Sequence, residues 1–394
     1  MLYKDFKGNK ISRLGFGCMR LPVLEDGNID TITFQKMVDI AIENGINYFD
    51  TAQPYHNGYS QIELGKALKK YPRDSFYIAT KYPGHQVRSS YDPSEVFEKQ
   101  LKDCGVEYFD FYLLHNVFEN SVITYEDPKW GIIDYFLEQK RLGKIKYLGF
   151  SSHAHIETLK YFVDKYIDIL DFCQIQLNYL DWTLQDAKEK YEYLTSKNIP
   201  VWVMEPVRGG KLASFNEDIT NKLRQYRPNE STAAWAFRYL QGLDNVQVIL
   251  SGMSNVEQML DNIKTFKEDK PLNEKEKELI YEVAESLKNS VPCTACAYCK
   301  EGCPLGLDIP RFISTYNDLK VAVTFNPKMW IEFLDEDKKP SACIKCGQCQ
   351  NICPQGINVP SVLEELNEII NNSPSWIEVS KQREEIEKKA KQNN

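Results

Sequence analysis

The chain has 394 residues, enough for two domains at roughly 150 residues each, with 42% hydrophobic and 26% charged residues, which excludes a disordered or low-complexity scaffold. Its net charge of −8 and the lack of a long Lys/Arg tract argue against a phosphate backbone or an anionic bilayer as partner, so no nucleic acid is expected. No apolar run approaches the roughly 18 residues of a membrane span, and residues 1–17 lack the apolar stretch of a secretory signal; no membrane is expected, and the cytoplasm is the expected location.

Leu2–Phe6 and Ile11–Gly15 flank a Gly8-Asn9 turn and read as an opening hairpin. Short apolar runs then alternate with longer amphipathic ones, the signature of repeated βα units and a parallel sheet. The expected strands are Leu14–Cys18 and seven that end at Asp50, Lys81, His115, Phe150, Gln176, Glu205 and Gly252. Helical patterns fall between them over Thr33–Asn44, Ser60–Lys70, Asp92–Cys104, Leu184–Lys197, Ser231–Leu240 and Val256–Phe266. Eight strands in roughly 250 residues is the size of a (β/α)8 TIM barrel, an α/β fold, with a doubly wound sheet as the alternative. The barrel is expected over residues 1–270. A smaller, mainly helical, ferredoxin-like domain follows over 271–373, and 374–394 is a charged tail with little to bury.

Catalytic groups of such a barrel come from the C-terminal ends of several strands, and Asp50, Tyr55, Lys81 and His115 fall there. The residue types suit one another. A free tyrosine titrates near about 10, and a nearby ammonium such as Lys81 stabilises its phenolate. Asp50 supplies the counter-ion that an ammonium in a partly dry site requires, and His115 orients a substrate oxygen. Taken singly, each also has a structural reading, as an ion pair, a rim aromatic or a core histidine. Asp50-Thr-Ala-Gln-Pro-Tyr55, Ala79-Thr-Lys81 and Leu113-Leu-His115, in this order on successive strands, resemble the aldo-keto reductases over about Ile11–Ile263. The resemblance implies a catalytic tetrad of these four residues, with the tyrosine as the acid that protonates a carbonyl reduced by nicotinamide hydride.

Gly15-Phe-Gly17-Cys-Met-Arg20 begins like a dinucleotide fingerprint but lacks the third glycine, and no Walker loop occurs. The resemblance instead implies carboxamide contacts from Ser151 and Ser152, within Gly149-Phe-Ser-Ser-His153, and from Gln174. Met204 stands where the family often stacks an aromatic on the nicotinamide. The loop that follows, with Pro206, Val207, Arg208 and Gly209, either cradles the pyrophosphate through backbone N–H groups and Arg208 or is a turn with a solvated arginine. Ser251, Gly252, Ser254, Gln258 and Asn262 lie on the last strand and helix, where the family grips adenosine and its 2′-phosphate; a helix N-terminus suits an anion. Met253, Ser254 and Asn255 are uncharged where NADP-preferring members usually carry Lys or Arg, so either NADP or NAD is implied.

Of 11 cysteines, Cys18, Cys104 and Cys173 stand alone in apolar or helix-end contexts and take no role. The others form two runs, Cys293-x-x-Cys296-x-x-Cys299-x-x-x-Cys303-Pro and Cys343-x-x-Cys346-x-x-Cys349-x-x-x-Cys353-Pro. Both match the bacterial ferredoxin run for a 4Fe-4S cluster, and Cys303–Pro310 recurs as Cys353–Pro360, implying two related halves. One tight loop offers three thiolates to three corners of a cube, while the proline turns the fourth cysteine away. Crossed ligation follows, with Cys353 completing the first triplet and Cys303 the second. Zinc, the alternative, prefers two pairs around one tetrahedron.

The expected function is an oxidoreductase that reduces a small carbonyl substrate with NAD(P)H and carries two 4Fe-4S clusters for one-electron transfer. Nicotinamide moves two electrons and a cubane cluster one, and no flavin motif is legible; the clusters then serve an electron-transfer flavoprotein or ferredoxin partner, a flavin bound without a motif, or a structural role. The rivals are an electron-transfer or docking protein whose barrel only binds nucleotide, and a redox sensor whose clusters gate the barrel.

Overall fold

The computed structural model describes residues 1–86, 90–184, 186–215, 217–287, 291–321 and 328–372, so the expected tail over 374–394 lies outside the described residues. The opening hairpin forms from β1 (Tyr3–Phe6) and β2 (Asn9–Ser12), with Phe6 paired to Asn9. That register makes Lys7 and Gly8 the two turn residues, with φ of 51° and 84°, one position earlier than the expected Gly8-Asn9. The pleat explains the shift: with Asn9 in the ladder, Phe6 and Ile11 share the buried face, and a slip of one residue would turn Ile11 to solvent.

Eight parallel strands close into a ring: β3 (Leu14–Gly17), β4 (Tyr48–Asp50), β5 (Tyr77–Tyr82), β6 (Phe109–Leu114), β7 (Ile145–Ser152), β8 (Phe172–Gln176), β9 (Val201–Met204) and β10 (Val246–Ser251). The last pairs with the first, Ile249 opposite Leu14, so the fold is the (β/α)8 barrel and not the doubly wound sheet. β7 runs two residues beyond Phe150 because Ser151 and Ser152 pair with Gln174 and Ile175 of β8. β6, β9 and β10 stop one residue short of expectation, at Leu114, Met204 and Ser251. Helices start where a side chain caps them. Asp92 accepts from Ser94 and Glu95 backbone N–H, Ser231 from Ala234 and Asn255 from Gln258, which places these caps just outside Pro93–Cys104, Thr232–Gln241 and Val256–Thr265. The pattern expected over Leu184–Lys197 divides into Asp181–Leu184 and Ala187–Ser196.

The hairpin stops the floor of the barrel. Phe6 lies 5.0 Å from the fully buried Trp202 ring, which in turn lies 4.7 Å from Phe172 and 5.6 Å from Phe111. Packing of this density leaves no room beside β7 for a side chain at Gly149, where a Cβ would sit 2.6 Å from the Phe172 ring. Everything above this plug, at the C-terminal strand ends, is free to carry polar chemistry.

The chain divides into two compact units, Met1–Glu285 and Ser286–Asn394. The break falls after Glu285 rather than after residue 270, because the helix Glu274–Leu287 belongs with the barrel: Arg227 donates from Nε to Glu276 at 2.8 Å, and Ile280, Val283 and Ala284 are buried. Within the second unit, short helices Tyr298–Glu301 and Gln348–Asn351 each follow a residue with positive φ, Ala297 (68°) and Gly347 (76°). Longer helices Ile309–Val321 and Val359–Asn371 start after Gly306 (63°) and Gly356 (61°), at the same offset as the cysteines. The internal repeat is therefore conformational as well as sequential. Its core joins Leu307, Phe312, Ile313, Ile357, Leu363 and Leu366 from the two halves. Among the described residues, no helix is long and apolar enough to cross a membrane.

Candidate active site

Asp50 ends β4 and Lys81 lies near the end of the adjacent β5, so the sheet sets the pair side by side. Lys81 is fully buried; its Nζ donates to Asp50 Oδ1 at 2.5 Å and to the Thr51 carbonyl at 2.8 Å. Burial pulls the Lys81 ammonium below its ordinary range and pushes the Asp50 carboxyl up, and the attraction between them opposes both shifts. Tyr55 opens a short turn, Tyr55–Gly58, and its ring centre lies 4.9 Å from Lys81 Nζ. His115 follows β6, with its ring 6.0 Å from that of Tyr55 and nearly perpendicular to it. The four residues expected at the strand ends thus meet in one place.

His115 is 4% exposed, and its imidazole is held well below the ordinary histidine range, first by burial and then by His85, Lys81 and His153. It is neutral at pH 7, and its Nδ1 has no hydrogen-bond partner among the described residues. His85 was missed in the sequence. Its ring lies 4.4 Å from that of His115 and its Nδ1 is 3.1 Å from the His115 carbonyl oxygen. His153, quoted only as part of a motif, is pushed down to about 3, by burial first and then by Lys190 and His85. The signal for His85 was present, since Pro83-Gly84 after β5 forces a turn that returns the chain over the barrel mouth.

The residues expected to hold nucleotide also collect at the strand ends, on β7 to β10. Ser151 stands opposite Gln174 in the ladder, and both are buried. Gln174 Nε2 faces the Met204 sulfur at 3.7 Å, while its Oε1 has no partner among the described residues. Ser152 is committed instead to the backbone: it donates to the Val117 carbonyl at 2.7 Å and accepts from Ala154 N. Asn262 donates to Ser251 Oγ at 3.0 Å, and Gln258 Oε1 accepts from Ser254 N at 2.8 Å, so both side chains brace their own loop. Met253 is buried, whereas Arg20, from the β3 loop, lies along Gly252, where a Cβ would meet it at 3.3 Å.

Arg208 is not the solvated turn residue considered for the Pro206-Val207-Arg208-Gly209 loop. It is fully buried, with Nε donating to Asp181 Oδ1 at 3.0 Å and Oδ2 at 3.1 Å. Asp181 also accepts from Gln176 and Asn178, each at 2.7 Å. Both terminal nitrogens of Arg208 are buried and lack a partner among the described residues, donors whose planar geometry matches an oxyanion.

The cysteines assemble across the repeat. Cys293, Cys296 and Cys299 line one cleft with Cys353, and Cys343, Cys346 and Cys349 line another with Cys303. The other walls are mainly apolar, including Ile313, Ile357 and Val359 in the first and Leu305, Leu307 and Leu363 in the second. Four thiols and no carboxylate or imidazole in each cleft is a soft donor set suited to iron–sulfur chemistry.

Residues 13–285 match the model of the aldo/keto reductase family. The chain belongs to that family. Residues 290–357 match the model of a 4Fe-4S dicluster domain, so the enzyme is an aldo-keto reductase barrel followed by a dicluster domain, and an oxidoreductase. YqkF of Bacillus subtilis, named as an oxidoreductase, is 28% identical over 313 residues, covering 70% of this chain and 96% of its own. A Glycine max protein named "Probable aldo-keto reductase 1" is 35% identical over 161 residues, but this chain spans only 42% of its length. Among solved structures, the holo form of a Bacillus halodurans aldo-keto reductase superposes with a TM-score of 0.58 at 25% identity, covering 72% of this chain and 96% of that one.

Proposed function

We propose that the protein is a cytoplasmic oxidoreductase that reduces a small carbonyl compound with NADH or NADPH, Tyr55 supplying the proton, and that its two clusters exchange single electrons with a flavoprotein or ferredoxin. The observation that carries the first part is the buried Lys81–Asp50 pair set 4.9 Å from the Tyr55 ring. Aldo-keto reductases bind NADP(H), and the orphaned atoms here fit such a group. Gln174 Oε1, buried beside Ser151, is an acceptor suited to a carboxamide, and the Arg208 fork suits a pyrophosphate. Bound there, the nicotinamide supplies hydride to the carbonyl carbon.

The chain's own residues do the rest. Tyr55 gives its hydroxyl proton to the carbonyl oxygen as negative charge develops there, and the Lys81 ammonium stabilises the phenolate left behind. Asp50 keeps Lys81 charged and in place. Neutral His115 donates a hydrogen bond to the same oxygen and fixes its position. Cys293, Cys296, Cys299 and Cys353 would hold one cluster, and Cys343, Cys346, Cys349 and Cys303 the other, each supplying one-electron redox chemistry.

An anaerobic screen of carbonyl compounds with both nicotinamides, with and without a one-electron acceptor, tests the reading. Tyr55→Phe should lower turnover by about 100- to 10,000-fold with nicotinamide binding nearly intact; retained turnover would move the chemistry elsewhere. Protein prepared without oxygen should hold roughly eight irons and eight sulfides. Cys353→Ser should then perturb the same resonance signal as Cys296→Ser. If it matches Cys346→Ser instead, ligation is uncrossed.

A further inference from the structure

The turn that carries Tyr55 has an unusual backbone. His56 (φ 49°, ψ 45°), Asn57 (φ 54°, ψ 34°) and Gly58 (φ 90°) are three consecutive residues in the left-handed region. Glycine takes that conformation without strain and asparagine tolerates it, but histidine does so at a cost. A side chain kept in a strained place beside a reacting group has a contact that repays it. Here the contact is visible: the backbone N–H of Leu21 donates to His56 Nε2 at 3.2 Å. Burial draws the His56 imidazole below its ordinary range, and a hydrogen bond with the Met19 backbone opposes that shift. The ring thus grips the Cys18–Leu21 segment at Met19 and again at Leu21.

That segment is itself tied on three sides. Cys18 N donates to the Asp50 carbonyl at 2.8 Å, and the Cys18 carbonyl accepts from Ser60 Oγ at 2.9 Å. The Arg20 carbonyl accepts from Ser254 Oγ at 3.0 Å, next to β10, and the Arg20 guanidinium pairs with Glu205 at 3.3 Å, next to β9. The His56 ring ties the stretch next to Tyr55 to this framework at Leu21.

We propose that His56 is a positioning residue: its Nε2 bond to Leu21 fixes the Tyr55 turn against the Cys18–Leu21 segment, so that the segment bordering β9 and β10 sets the place of the proton donor. This rests on the assignment of Tyr55 as the acid. The imidazole does not touch substrate. Toward Leu21 it acts as an acceptor, and at that contact any acceptor of the same reach serves.

Three variants of the full-length, cluster-loaded protein test this. His56→Gly relieves the backbone and removes the acceptor; thermal stability should hold or rise while kcat for carbonyl reduction falls about ten- to 100-fold, with KM changed much less. His56→Asn, which tolerates φ near 50° but ends short of Leu21, should behave alike. His56→Gln carries an acceptor oxygen about where Nε2 lies and should recover most of kcat. Wild-type kcat in His56→Gly or His56→Asn overturns the proposal, as does a His56→Gln variant no better than glycine, which would make the imidazole itself the reactive group. Tyr55→Phe, assayed in parallel, separates the two claims. An inactive Tyr55→Phe beside an active His56→Gly sinks only the positioning role, whereas an active Tyr55→Phe sinks the acid assignment.

Discussion

The two units organise their chemistry in opposite ways. In the barrel, the reacting groups are held by backbone: Asp50 and Lys81 are neighbours because β4 and β5 are, over a floor in which Phe6, Phe111, Phe172 and Trp202 leave no slack. In the second unit, each cysteine triplet hangs on a loop with two positive-φ residues, Ala295 and Ala297 or Lys345 and Gly347, and a short helix of four residues. Its core is small and includes Cys299 and Cys349 themselves. A closed sheet can preorganise a site with nothing bound, whereas loops of this size need their metal to complete them.

The largest effect should come from stripping iron. Chelation under reducing, anaerobic conditions should open the second unit, with protease cutting within Ser286–Asn371 while a fragment near Met1–Glu285 survives. Loss of both together would break the contrast. Next in size, Trp202→Ala should cost the barrel about 3–5 kcal/mol, by lost burial and an unfilled floor. Iron content of the purified variant should stay at the wild-type level; a matching fall would couple the units.

A smaller effect sharpens the electrostatic side of the comparison. Because burial holds His115 well below the ordinary value, the unfolded chain takes up its proton near pH 6.5 and the folded barrel does not. Stability from this group is therefore complete above about pH 6.5 and is lost as the pH falls below that. Denaturant unfolding of the barrel at pH 7 and pH 5 should show that slope, and His115→Gln should reduce it, leaving the share of His153, which burial also holds low. An unchanged slope in the variant would assign the acid sensitivity elsewhere.

What could be read from the sequence followed distance along the chain. Asp50, Lys81 and His115 were legible because each lies at or beside the end of a strand whose apolar run is local, and the cysteines because three of each run share one loop. The rest depended on partners far away. Arg208 sits before two glycines and resembles a solvated turn, but its partner Asp181 opens the short helix Asp181–Leu184 after β8. The hairpin turn moved by one residue because Lys7 adopts φ 51°, which no local preference of lysine predicts. Ser152 was expected to face nucleotide, and its hydroxyl donates to the Val117 carbonyl, a contact that exists only once β6 and β7 are paired.

The closure of the barrel also sets an order of events on the ribosome. β3 is the first of the eight barrel strands to be made, and one of its two neighbours, β10, is the last of them, with Leu14 opposite Ile249. Until then the nascent sheet has a bare edge at β3, and the hairpin carrying Phe6 has no complete floor to enter, because Trp202 and Val248 are still to come. Parallel pairing across so long a loop is slow, and an unpaired edge is a template for other chains. Yield in a host should therefore depend on chaperone supply more steeply than the stability of the finished barrel would suggest.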